Sequence, residues 1–217
     1  MSITANDITA YMVEKNQVVL FGDINIVYIE GMYTDFTLNA DRIDEWNDLS
    51  LIITPETGGK TGMRFASVLE ATTEPGLSAT NSTGARKRGG VFRIEIGQQR
   101  AWKAGYHKRD KKHPALAQHG NVWGYRDLNR DGIRTGDKRS RGYGINQHST
   151  DADRTPLKVG RYSEGCLVRR NFEAHVEDFM PLIYGSNIYQ EDKNALFYTT
   201  VIDGSDLVKW LKAKKAG

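Results

Sequence analysis

Apolar residues recur along this chain in two different periods. Near the N-terminus Ile8, Tyr11 and Met12, with Val18 and Val19 beyond them, fall close to the spacing of one helical face, which predicts a short helix within 8–20. After Gly22-Asp23 the period shortens. Ile24-Asn25-Ile26-Val27-Tyr28-Ile29 is β-branched and partly alternating, Leu51-Ile52-Ile53-Thr54 stops at Pro55, and 65–69 and 91–96 continue the strand pattern. Thr57-Gly58-Gly59, Glu74-Pro75-Gly76 and Arg88-Gly89-Gly90 supply the turns between them. Residues 97–142 lack sustained periodicity and predict long loops lying over a sheet. Gly144-Ile145-Asn146-Gln147-His148 then reads as a short strand with His148 at its end. Further on, Phe172, Val176, Phe179 and Ile183 share one helical face that Asn171 can cap, and Pro181 should end or bend that helix near Met180. Residues 196–202 form the clearest strand. Ser205-Asp206 then opens a terminal helix burying Leu207, Val208 and Leu211. No internal repeat is visible. These elements predict an α+β, β-rich single domain over 1–217: a curved or sandwich-like sheet with peripheral helices and a basic loop insertion around 97–142.

Charge adds a division that hydropathy does not show. Residues 1–85 carry 4 basic and 12 acidic side chains, residues 86–141 carry 16 and 5, and residues 142–217 carry 10 of each. The middle segment holds Arg86-Lys87-Arg88, Lys108-Arg109-Asp110-Lys111-Lys112 and Arg139-Ser140-Arg141, interleaved with Trp102, Tyr106, Trp123 and Tyr125. Such a field attracts polyanions, nucleic acid or anionic cell-wall polymers alike, unless it is a solvated surface balanced by the acidic first third. No stretch reaches the ~18 apolar residues of a membrane span. The N-terminal residues lack the basic start and apolar core of a secretory signal, so the expectation is synthesis in the cytoplasm.

The chemistry centres on Cys166, the only cysteine, in Ser163-Glu164-Gly165-Cys166, with His148-Ser149 eighteen residues upstream. A lone thiol serves as packing, an intermolecular bridge, a metal ligand or a nucleophile. Its neighbours favour attack. A thiol attacks as thiolate and needs a base or a positive charge beside it, and His148 supplies both. Gly165 removes a side chain where a substrate backbone must approach, and it opens the Gly165 and Cys166 N–H groups to a developing oxyanion.

Histidine, then after seventeen intervening residues the cysteine of Ser-X-Gly-Cys, an apolar residue and a helix resembles the catalytic motif of the L,D-transpeptidases of bacterial cell-wall synthesis. The resemblance covers about 144–179, and the upstream part is similar to phage-encoded proteins. It implies a β-sandwich core with His148 as base, the Ser149 carbonyl orienting it, Cys166 as acylated nucleophile, and Gly165 with Cys166 as oxyanion hole. It further implies peptidoglycan stem peptides as substrate, no required cofactor, and a protein delivered to the wall by phage or another non-classical route. Glu164 departs from the pattern, which has histidine there. A carboxylate beside a thiolate raises the thiol pKa unless Arg161, Arg169 or Arg170 neutralises it. Ser163, Glu164, Arg169 and Arg170 are therefore the candidate substrate contacts, with Glu164 suited to a substrate ammonium. A cysteine peptidase or amidase acting elsewhere, or a module binding wall polymer or nucleic acid, remains the alternative.

Two further motifs carry chemistry. His107, His113 and His119 stand six residues apart, wider than usual zinc spacing, which predicts surface or substrate contacts, and His175 falls on the polar side of its helix. Asp127-Leu128-Asn129-Arg130-Asp131-Gly132 places oxygen ligands at positions 1, 3 and 5 before a glycine, as a calcium loop opens. Lys138 then occupies position 12, where such a loop has glutamate, while Asp137 stands one residue earlier. An Asx-rich turn uses the same residue types.

Overall fold

The computed structural model describes residues 2–58, 60–107 and 113–216. The basic run 108–112 lies outside them. Helix α1 (Ala5–Glu14) is started by Thr4, whose hydroxyl accepts the Asp7 N–H while the Asp7 carboxylate accepts the Thr4 N–H. Strands β1 (Asn25–Glu30), β2 (Asp48–Pro55) and β3 (Met63–Thr72) follow, then the short helices α2 (Leu77–Thr80) and α3 (Thr83–Lys87). Next come β4 (Val91–Ile94), β5 (Gly97–Tyr106), β6 (Pro114–Gln118), β7 (Val122–Asp127), β8 (Lys138–Gly142), β9 (Gln147–Ser149) and β10 (Leu167–Arg169). Helix α4 (Phe172–Ala174), capped by Asn171 as expected, runs through a π-helical turn, His175–Phe179, into α5 (Met180–Gly185). The bend thus falls just before Pro181, which sits in the first turn of α5. Helix α6 (Asn187–Glu191), strand β11 (Phe197–Asp203) and helix α7 (Gly204–Ala216) complete the chain. The Asp203 carboxylate accepts the N–H groups of Ser205 and Asp206, so α7 is capped two residues earlier than Ser205-Asp206 suggested.

The mixed, strand-rich class is as expected, but the main sheet closes on itself. Eight strands form a barrel in the order β1-β11-β5-β6-β9-β10-β3-β2, and β4-β7-β8 make a second, three-stranded sheet. A two-layered sandwich is not confirmed. Strand β1 explains the layering, because all six of its residues are buried. Ile26 and Tyr28 face the barrel interior with Trp102, Leu116, Leu167, Phe179 and Val201, while Val27 and Ile29 face outward beneath α1 and α7 with Leu49, Leu51 and Leu207. Each fully buried side chain of this size contributes about 1.5–3 kcal/mol, which makes β1 the central staple of the fold.

The described residues of 97–142 are mostly strand, with a loop at 128–137. They supply β5 and β6 to the barrel and β7 and β8 to the second sheet. Their hydrophobic alternation is masked because polar side chains there are satisfied by specific bonds: Gln98 bonds Val18 and Thr200, and Gln99 bonds both the N–H and the C=O of Trp123. Among the described residues, no helix is long and apolar enough to cross a membrane.

Candidate active site

Strands β9 and β10 are parallel neighbours, with His148 beside Val168, and the Leu167 N–H donates to Asn146 C=O. A parallel pair cannot be joined by a tight turn and needs a crossover of a dozen or more residues. The seventeen residues between His148 and Cys166 are that crossover. The spacing in the motif therefore places a histidine on one strand next to a cysteine at the mouth of its neighbour. Strand alternation completes the placement: Gln147 turns into the barrel to bond Tyr28 and Thr199, and His148 turns outward.

His148 is buried, and its Nδ1 lies 2.7 Å from Ser149 C=O. A carbonyl only accepts, so Nδ1 carries the hydrogen and Nε2 holds the lone pair. Nε2 is buried with no hydrogen-bond partner. Cys166 Sγ, an imidazole nitrogen of His148 and one of His107 all lie within 4.8 Å of one another. Asn146 frames the thiol: its N–H points at Sγ from 3.4 Å, its side-chain oxygen accepts the Gln118 N–H, and its amide nitrogen meets His107 Nδ1 at 3.2 Å. Burial, then the proximity of His107, holds His148 well below the ordinary imidazole pKa, and the Ser149 bond acts in the opposite sense. Burial likewise pushes the Cys166 thiol up to about 11, partly offset by the Asn146 N–H and reinforced by Glu164. The resting pair is therefore thiol and neutral imidazole.

The Cys166 loop is held from behind by β4, where the Phe92 N–H donates to Glu164 C=O. Gly165 has φ +144°, and a Cβ there would lie 2.7 Å from Phe92 O, so only glycine fits. The Gly165 N–H donates to Ser163 Oγ, which itself donates to Cys166 C=O. That N–H is thus committed inside the loop, and Asn146 supplies the N–H seen beside Sγ. Ser163 is fully buried and shapes the turn.

The arginines are arranged differently from expectation. Arg88 pairs with Glu164. Arg169 turns into the barrel, fully buried, with its guanidinium 3.2 Å from the Phe179 ring centroid and Nε 3.0 Å from Ser50 Oγ. Arg170 bonds Pro156 C=O and Glu70. Arg169 is therefore withdrawn as a substrate contact, since a side chain beside the β10 backbone must follow the strand's alternation inward. Arg170 is tied to other partners and lines neither cavity described below.

His107 and His113, expected as surface or substrate contacts, are brought by the structure beside His148. The His107 ring stacks on His148, with centroids 3.6 Å apart and planes at 21°, while His113 meets His148 edge-on and bonds Ser149 Oγ at 3.1 Å. They close a hairpin: Tyr106 pairs with Pro114, and the His107 N–H donates to His113 C=O. Two histidines flanking the Lys-rich sequence 108–112 carried that signal. His175 is also buried rather than surface-facing, with Nε2 on Pro114 C=O at 2.8 Å.

Two cavities meet here. One of about 510 Å³ is lined by Cys166, Glu164, Arg88, Arg126, Phe92 and Tyr143, and another of about 360 Å³ by His148, Ser149, His113, Asp151 and Arg154. His107, Arg161 and Tyr162 border both. His107, His148 and Cys166 are also a donor set for a soft metal. However, a metal bound at ~2 Å must lie near the plane of each imidazole, which two stacked rings 3.6 Å apart do not share. The geometry suits proton transfer better. Asp127, Asn129 and Asp131 stand away from both cavities, at the end of β7. No protein-family model, curated protein or solved structure matches the chain.

Proposed function

We propose that the chain acylates Cys166 with peptidoglycan stem peptides, acting as a transpeptidase or a peptidase on a core of the L,D-transpeptidase type. The supporting observation is the His148 Nδ1–Ser149 carbonyl bond, which fixes the tautomer and leaves Nε2 as a buried base on the side chain beside Sγ. In the reaction Sγ attacks the stem-peptide carbonyl as its proton passes to Nε2. The imidazolium formed is stabilised by Ser149 C=O. Collapse returns that proton to the leaving D-amino acid and leaves an acyl-Cys166 thioester, which water hydrolyses or an amine converts to a crosslink.

A half-buried thiol high in pKa suits this sequence, since charge develops only when a carbonyl is in place. The Asn146 N–H is positioned as an oxyanion donor. Arg88, Arg126 and Arg161 give the larger cavity the sign that stem-peptide carboxylates require, and the second cavity gives water or an acceptor amine a separate approach to the base. Glu164 is held by Arg88, so a substrate ammonium reaches it by displacing that guanidinium. Exposed basic side chains on β8 fit anionic wall polymers as a secondary contact. No cofactor enters these steps.

A carbapenem tests the reading directly. Intact-mass and peptide analysis after incubation should locate one covalent adduct on Cys166 that Cys166→Ala and His148→Gln both abolish. An unmodified wild-type protein would contradict it.

A further inference from the structure

At the far end of β7 the chain turns sharply through Asp127-Leu128-Asn129-Arg130-Asp131-Gly132. Gly132 has φ +76°, and a Cβ there would collide with Ile43. Carboxylate oxygens of Asp127, Asp131 and Asp137 converge, all within 4.8 Å of one another. Three carboxylates at such separations repel.

Asp127 is 1% exposed, yet its Oδ1 is buried with no hydrogen-bond partner; Asp137 Oδ2 is buried and unpartnered as well. Asp127 Oδ2 is already engaged, accepting the Gly132 N–H at 3.2 Å and facing Arg93 Nε at 3.6 Å. A buried carboxylate oxygen left unsatisfied is costly, and two beside a third carboxylate call for a cation. A hard ion with oxygen ligands is the chemical match.

We infer that Asp127, Asn129, Asp131 and Asp137 bind a calcium ion. Asp137 takes the place of the glutamate that a twelve-residue calcium loop has one position later, so Lys138 is free to enter β8. The Ile133 carbonyl falls at the loop position that contributes a backbone ligand. Magnesium is disfavoured because it demands six-fold geometry and keeps several waters, which a loop offering several carboxylate and carbonyl oxygens does not suit.

The site has a structural consequence for the nucleophile. Asp127 pairs with Val91 in the β4–β7 ladder, and the next residue of β4, Phe92, holds Glu164 C=O. An ion here ties the loop after β7 to the strand that backs Cys166, and its role is structural.

Calorimetric titration of the chelator-treated full chain with calcium should give saturable one-to-one binding and raise the melting temperature, with a much smaller response to magnesium. Asp131→Asn and Asp137→Asn should each weaken binding by about tenfold or more. Both should melt, in chelator, at or above the wild type, because each removes one repelling charge. Asp35→Asn, remote from the loop, should bind as wild type does. No saturable heat with wild type, equal responses to calcium and magnesium, or undiminished affinity in both loop variants would each overturn the site. None of these outcomes bears on acylation of Cys166.

Discussion

At Cys166 the surroundings favour the thiol over the thiolate at rest. Burial lifts its pKa to about 11, and Glu164 adds to the shift. Alkylation by iodoacetamide requires thiolate, so its rate should climb about tenfold per pH unit through neutrality and level off only near pH 11. Glu164→Gln removes the like charge and should shift that profile towards lower pH. A plateau already reached below neutrality would show a preformed thiolate–imidazolium pair and contradict this account. His175 behaves oppositely. Burial, and then the Arg169 charge, lowers its pKa from 6.5 to about 3. The unfolded chain therefore binds a proton at higher pH than the folded one, and this contribution to stability is lost as pH falls from about 6.5 towards about 3. His175→Gln can still donate to Pro114 C=O, and its urea midpoint should fall less than that of wild type between about pH 7 and about pH 5.

At the scale of elements, glycine and arginine at either end of one short segment have opposite sensitivities. Gly165→Ala forces a Cβ against the Phe92 carbonyl at a positive φ and should cost about 1–3 kcal/mol or more, with loss of Cys166 acylation. Arg169 lies three residues beyond Cys166, buried with no carboxylate partner among the described residues, its charge eased by Ser50 Oγ, by His175 Nδ1 and by the faces of Phe179 and Tyr28. Arg169→Met removes a buried unpaired cation and should leave the urea midpoint at or above wild type. A fall of several kcal/mol would show that the ring contacts outweigh the desolvation.

The same elements explain what was legible. Strands β1, β2, β3, β4 and β11 were visible because their β-branched runs are buried on one or both faces, and Asn171 marked its helix through the bond it makes. Strand β8, Lys-Arg-Ser-Arg-Gly, was hidden because it is the outer strand of a three-stranded sheet and mostly exposed. The parallel pairing of β9 with β10 had a trace in the spacing from His148 to Cys166. The stack of His107 on His148 had none in hydrophobic period, since it arises where a hairpin end meets a strand distant in sequence.

On the scale of the whole molecule, a closed barrel with few exposed edges fixes β9 and β10 in register, and the second sheet braces the cysteine loop against them. Two cavities then converge on Cys166 and His148, with Arg88, Arg126 and Arg161 lining the one that holds the thiol. The central claim, that Cys166 is acylated by stem peptides, is tested most directly on purified sacculi. Wild-type protein should release or crosslink stem-peptide fragments of altered mass, and Cys166→Ala should leave the fragment masses of untreated sacculi. Identical products from the two proteins would contradict the claim.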